Sequence, residues 1–201
     1  MNKVVLASGN KKKIIELEEI LAEFGSSIIS QGELAIGDAV EDGLSFVENA
    51  IKKARHASKF SGLPAIADDS GIEVDALNGQ PGIYSARYSA TDTEEASDQR
   101  NNEKLLQELA NVEDSQRTAR YQCVIVFMKH HLDPTPIICQ GSWEGSILRN
   151  PEGNGGFGYD PLFYCPEYQC SAANLSSEQK HAISHRGKAL NQLKSQLNSL
   201  L

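Results

Sequence analysis

Apolar positions along this chain fall into two recurring patterns, short runs closed by glycine or asparagine and longer stretches at helical spacing. Val4-Val5-Leu6-Ala7 predicts a buried strand, Ser8-Gly9-Asn10 breaks it, and Ile14, Leu17, Leu21 and Phe24 mark a helix from Lys11 to Phe24. Gly25 fits a helix stop, Ile28-Ile29 a second strand, and residues 38–43 an acidic loop. Ser45-Phe46-Val47-Glu48 has capping-box form and opens a helix with Phe46, Ala50, Ala54 and Ala57 on one face. Asn49 and Lys53, four apart on a neighbouring face, could reach one polar ligand; a solvated stripe fits them equally well.

Leu63 to Ala67 is a short apolar run ending in Asp68-Asp69-Ser70-Gly71, so it predicts a buried strand that delivers two carboxylates at its end. On extended backbone the two acids point to opposite faces, which leaves one facing a crevice; a plain polar turn accounts for the same tetrapeptide. Ile72 to Leu77 alternates as a strand, and Asn78-Gly79-Gln80-Pro81-Gly82 is a dense turn signal. Asp92-Thr93-Glu94-Glu95 can cap a helix running to about Leu109, whose apolar face, Leu105, Leu106 and Leu109, appears only late. Its first half is then exposed or covered by a partner.

Arg120 to Lys129 and Pro136 to Leu148 predict two long strands of an antiparallel pair, joined by His131-Leu132-Asp133-Pro134-Thr135. His130 and His131 would point to opposite strand faces, so they read as a hairpin end rather than a metal site. Gly153 to Pro161 places two aromatics, Phe157 and Tyr159, on a loop with few neighbouring side chains, an arrangement suited to stacking a planar ligand. Ser176-Ser177-Glu178-Gln179 again has capping-box form, and Lys180, His185 and Arg186 gather around the start of a last helix.

These elements predict an α/β fold with a long, mixed, mostly antiparallel sheet flanked by helices and shared by two lobes. A chain of 201 residues holds one domain, spanning 1–201. No apolar run reaches membrane-spanning length and no signal peptide is evident, so a soluble cytoplasmic protein without a membrane partner is expected. Cys123, Cys139, Cys165 and Cys170 lack CxxC spacing and read as reduced thiols. The net charge of -8 argues against a nucleic-acid partner, yet leaves room for a compact basic pocket. The helix start at Lys11, Lys12 and Lys13 is such a place, because unpaired N–H groups and the helix dipole favour an anion; solvated lysines fit the same residues, and the GxxxxGK[ST] loop is absent.

Four separated segments then fit one pattern: Ser8-Gly9-Asn10-x-x-Lys13; Glu48-Asn49-Ala50 with Asp68-Asp69-Ser70-Gly71; Gly155 to Pro161; and Ser184 to Leu190. Together they resemble the inosine/xanthosine triphosphate pyrophosphatase family, from Lys3 to about Leu193. The resemblance implies Mg²⁺-dependent hydrolysis of dITP, ITP and XTP to monophosphate and pyrophosphate, with the nucleotide in a cleft between two lobes of a homodimeric enzyme. It makes Asp69 the proton acceptor and a metal ligand, with Glu41 the other acid of the metal site. Ser8, Gly9, Asn10, Lys11, Lys12 and Lys13 would hold the phosphates together with Lys53 and Ser70. Phe157, Gly158, Tyr159, Asp160, Lys180, His185 and Arg186 would form the base pocket. Serine at position 8, where threonine is commoner, keeps the hydroxyl, and Lys11-Lys12 is more basic than the pattern requires.

Residue chemistry agrees with that expectation. Mg²⁺ takes a few carboxylates, waters and phosphate oxygens, and lysine and arginine, which only donate hydrogen bonds, suit a 6-keto oxygen rather than a 6-amino group. An aspartyl-phosphate mechanism would want a second acid where Ser70 stands. Two other readings compete: a pyrophosphatase for modified pyrimidine nucleotides, and a nucleotide sensor without catalysis.

Overall fold

The first strand, β1 (Lys3–Leu6), pairs in parallel with β2 (Ser27–Ser30) on one side and with the start of β3 (Ala65–Val74) on the other. This computed structural model describes residues 3–8 and 11–198, without the side chains of Lys11, Lys12, Lys13, Glu16 and Glu19. Gly9, Asn10 and the three lysine side chains of the expected phosphate loop therefore lie outside the described residues. Between β1 and β2, α1 (Lys11–Ala22) buries Leu17 and Leu21 completely, and Gly25 with φ +62° supplies the left-handed residue that ends the turn.

α2 (Phe46–Ser61) starts as its sequence predicts. The Ser45 hydroxyl accepts the Glu48 N–H, while the Glu48 carboxylate accepts the Leu44 N–H and the Ser45 hydroxyl, one residue short of a closed capping box. Phe46, Ala50, Ala54 and Ala57 form its buried face.

Among the described residues seven strands run in the order β2-β1-β3-β4-β5-β6-β7, with β4 (Thr118–Met128), β5 (Ile137–Ile147), β6 (Phe163–Cys165) and β7 (Cys170–Ser171). The sheet is mixed and mostly antiparallel, parallel at β2-β1-β3 and antiparallel at β5-β6-β7. The chain divides into two units that cut β3, β4 and β5: one comprises Met1–Asp69, Cys123–Gly141 and Lys188–Leu201, the other Ser70–Gln122 and Ser142–Gly187. In the first unit the core gathers Val4, Leu6, Ile66, Ile125, Phe127 and Leu190. In the second it is aromatic, with Tyr121, Trp143, Tyr159 and Phe163 around Ile72, Leu105 and Leu109.

Two sequence expectations change here. β3 does not stop at its acids; it runs through Asp68, Asp69, Ser70 and Gly71 to Val74, and Asp75–Leu77 is a 3-10 turn rather than strand. An acidic pair after an apolar run looks like strand-closing punctuation, but here Asp69 is neutralised by a lysine, which lets a charge sit inside the strand. The helix expected from Asp92 begins later, as α3 (Asp98–Glu108), capped by the Ser97 hydroxyl on the Arg100 N–H. Thr91 forms the tighter local turn instead, accepting the Glu94 N–H. The first half of α3 is not bare: Asn101 is buried, and its amide bonds to the Ser89 N–H and the Ser85 and Ala86 carbonyls.

The last helical stretch is two helices. α4 (Ser177–Ile183) carries the full capping box of Ser176 and Gln179, and α5 (His185–Asn198) restarts after Ser184, whose hydroxyl accepts the Gly187 N–H. A side chain at position 187 would collide with the His181 carbonyl, so only glycine lets α5 start against the end of α4. The four cysteines are free thiols, and among the described residues no helix is long and apolar enough to cross a membrane.

Candidate active site

Candidate residues form two groups, one within each unit. In the first unit, a polar pocket of about 230 Å³ is lined by Ala7, Ser8, Gln31, Asp38, Ala39, Glu41, Lys53 and Asp68. β1 contributes Ser8 just past its end, α2 contributes Lys53 from its second turn, and β3 contributes Asp68. Lys53 Nζ donates to Asp69 Oδ1 at 2.8 Å and lies 3.5 Å from Glu41 Oε1. The three side chains expected to handle metal and phosphate thus meet at one ammonium group. The side chains of Lys53 and Asp69 are 13% and 12% exposed, so this ion pair is largely shielded from water.

Burial works against the Lys53 charge, yet Asp69, Asp68 and Glu41 outweigh it and hold its pKa above the ordinary lysine value. Burial also raises the Asp69 carboxyl above its ordinary value, with Lys53 opposing and Glu41 reinforcing the shift. Asp69 Oδ2 is buried with no hydrogen-bond partner among the described residues. A carboxylate oxygen in that condition suits a cation or an ordered water. Asn49, fully buried one turn before Lys53, accepts the Gly43 N–H at 2.9 Å and so ties the acidic loop carrying Glu41 to α2. A side chain at Gly43 would collide with Asn49 and Glu48, which explains a glycine there.

Of the two adjacent acids one, Asp68, lines the polar pocket, as expected of neighbours that point to opposite strand faces. Asp68 also adds to the field on Lys53, while Asp69 makes the direct ion pair. Gln31 and Asp38, joined Nε2 to Oδ1 at 2.6 Å, line the same pocket and escaped sequence reading; an acidic loop was legible, but which of its acids turns inward was not. Among the described residues no cluster of three or more His, Cys, Asp or Glu forms a metal cage.

In the second unit the candidate residues converge on Asp160, itself 2% exposed. Its Oδ2 accepts the Phe157 N–H at 2.8 Å and the Lys180 ammonium, and its Oδ1 accepts the Tyr121 hydroxyl at 3.3 Å. Gly156, with φ +78°, brings its backbone so close to the Asp160 carboxylate that no side chain fits. Lys180 also lies over the Phe157 ring, 4.9 Å from its centre, and that ring is 59% exposed. The two loop aromatics therefore part company: Phe157 faces outward, whereas Tyr159 is buried and donates its hydroxyl to the Ser85 carbonyl. The first turn of α3 pins the loop between them, with Asp98 Oδ2 accepting the Gly158 N–H and Asn102 Nδ2 donating to the Gly158 carbonyl. His185, at the start of α5, stacks on Tyr121 at 4.7 Å with 11° between the ring planes. Arg186 follows it, half-buried, and Ser70 is half-buried on β3.

The Ham1 family model matches residues 4–196, a span that includes both groups. The dITP/XTP pyrophosphatase of Shigella flexneri is 58% identical over 190 residues, 94% of this chain and 95% of that protein. Among solved structures, a HAM1 protein from Coxiella burnetii matches with a TM-score of 0.93 at 48% identity, over 99% of this chain and 100% of that one. The Ham1 protein of Staphylococcus aureus matches at 0.90 and 40% identity, over the whole of both chains. Sequence likeness across both residue groups and fold likeness over the entire length agree, and the chain belongs to the Ham1 family.

Proposed function

We propose that this protein hydrolyses the triphosphates of deaminated purines, dITP, ITP and XTP, to the monophosphate and pyrophosphate, clearing them from the nucleotide pool. The observation that carries the reading is the buried Lys53–Asp69 pair beside a polar pocket, with one Asp69 oxygen left without a hydrogen bond among the described residues. Asp69 is the proton acceptor for the attacking water: burial makes its carboxylate a stronger base, and Lys53 holds it in place. Lys53 then stabilises charge on the departing pyrophosphate. Ser8, Gly9, Asn10, Lys11, Lys12, Lys13 and Ser70 complete the phosphate grip in this proposal.

The donor set fits Mg²⁺. Asp69 Oδ2 is buried without a hydrogen-bond partner among the described residues, Glu41 lies across Lys53 from it, and two hard carboxylates match an ion that fills its shell with water and phosphate oxygens. Glu41 and Asp69 would hold the ion, which when bound neutralises phosphate charge and lowers the pKa of a bound water.

Base reading falls to the second unit's group. Lys180 and Arg186 offer only donors, which pair with the 6-keto oxygen of hypoxanthine or xanthine and leave the adenine 6-amino group unmatched. The exposed Phe157 ring supplies a stacking face, and Gly158, Tyr159, Asp160 and His185 shape the pocket. We also propose a homodimer, supported by Phe60 and Leu132, 63% and 72% exposed in the first unit, where Arg55 of α2 binds the His131 carbonyl beside Leu132.

Pyrophosphate release from ITP, dITP and XTP with Mg²⁺, against ATP, GTP and modified pyrimidine nucleotides, tests the reading. Turnover of the 6-keto purines far above ATP is expected. Binding without release would favour the sensor, and a pyrimidine preference the related pyrophosphatase.

A further inference from the structure

The side chain that joins both halves of the base-reading group is one to which no part in base reading has yet been assigned. Tyr121 sits on β4, 8% exposed, with its hydroxyl on Asp160 Oδ1 and its ring parallel to the His185 imidazole. Trp143 lies 6.3 Å from the imidazole at 14° and 6.0 Å from the Tyr121 ring at 23°, so the three rings form a cluster of nearly parallel planes. We propose that Tyr121 is a positioning residue for base selection, fixing the Asp160 carboxylate through its hydroxyl and the His185 ring through its face; this rests on the base-reading assignment above.

The Asp160 carboxylate is gripped unevenly at its two oxygens. Both the Phe157 N–H and the Lys180 ammonium pull on Oδ2, and a carboxylate held at one oxygen can rotate about its Cβ–Cγ bond. The Tyr121 hydroxyl holds the other oxygen and removes that freedom. Burial keeps the phenol neutral, and the Asp160 charge reinforces this, so the hydroxyl is a permanent donor. With the carboxylate plane fixed, Lys180 is fixed over the Phe157 ring, and its remaining N–H groups keep one direction. The contrast with Tyr159 separates this from ordinary core packing. Tyr159 gives its hydroxyl to a backbone carbonyl, whereas Tyr121 touches two side chains of the reading group.

Two variants divide the two contacts. Tyr121→Phe keeps the ring and deletes the hydroxyl; Tyr121→Leu deletes both. Steady-state kinetics with ITP and ATP should show the ITP/ATP ratio of kcat/KM falling about tenfold in Tyr121→Phe, the loss expected of one hydrogen bond, and mainly through KM for ITP. NMR of the His185 ring, assigned with a His185→Gln variant, should show its ring-current-shifted signals retained in Tyr121→Phe and displaced in Tyr121→Leu. Equal losses for ITP and ATP, or an unchanged ratio in a wild type that prefers ITP, would overturn the inference while leaving the proposed function standing. A wild type with no preference for ITP would overturn the proposed function, and the selectivity role of Tyr121 with it.

Discussion

Replacing Lys53 with methionine keeps most of the side-chain volume and removes an ammonium that Asp69 and Glu41 share. At an effective dielectric constant near 20, a charge pair 2.8 Å apart is worth about 6 kcal/mol and one 3.5 Å apart about 5, before the cost of burying the charges is subtracted. Both members of the closer pair are nearly nine-tenths shielded, so solvent screening removes little of its share, whereas Glu41 is 34% exposed and its share is screened more strongly. Deleting one partner of a buried pair costs about 3–5 kcal/mol once those terms are combined, and that is the destabilisation expected for Lys53→Met. Urea unfolding of Lys53→Met, Asp69→Asn and the double variant measures it. The double variant should recover much of the loss, because the orphaned carboxylate is gone. If Mg²⁺ occupies the same carboxylates, it replaces the missing charge, and its addition should raise the Tm of Lys53→Met more than that of the wild type. An unfolding midpoint for Lys53→Met equal to that of the wild type would refute the claim that this lysine neutralises the buried acids.

Three further outcomes are expected. Asp69→Asn should lower kcat about 10²–10⁴-fold with nucleotide affinity by calorimetry nearly retained, and Asp68→Asn should lose much less; equal losses would mean the two acids share one role. Asn102→Ala releases the Gly158 carbonyl from α3, so KM for ITP should rise several-fold with kcat little changed, a split that steady-state kinetics reads directly. Asp133 lies in the turn between β4 and β5, where burial favours its neutral form but the backbone N–H groups of Lys129 and Thr135 outweigh that and hold its pKa below the ordinary value. Its contribution is therefore complete above the unfolded-state value, near 4, and lost as pH falls through the lower folded value. Asp133→Ala should cost about 1–3 kcal/mol at neutral pH, a gap that closes in acid; a gap independent of pH would refute the charge argument.

The elements legible in the sequence were those whose signal is local. Ser45 and Glu48 meet across one helical turn, and the alanines of α2 repeat at that helix's own period, so both survive folding unchanged. The long strands around Cys123 and Cys139 were equally plain, because eleven residues of strand leave little room for another element. The misread positions depend on partners far along the chain. Nothing near Asp69 announces that Lys53, sixteen residues earlier, will neutralise it and let β3 continue. Nothing in Asp92-Thr93-Glu94-Glu95 reveals that Asn101 has backbone partners waiting at Ser85 and Ala86, which fixes where α3 must begin.

The same distinction explains why four motifs could name candidate residues but not their connections. A motif records side chains that lie close in sequence, whereas Asp160 draws its three donors from β4, from its own loop and from α4. Tyr121 stands in a run of apolar and aromatic strand residues, where every local feature reads as core, and it is core by burial. Only its hydroxyl and the face of its ring separate it from the other buried aromatics of the second unit, and both depend on residues 39 and 64 positions away. Groups that touch substrate are thus more legible than groups that hold them, because the first must carry a reactive side chain while the second need only be the right shape at the right distance.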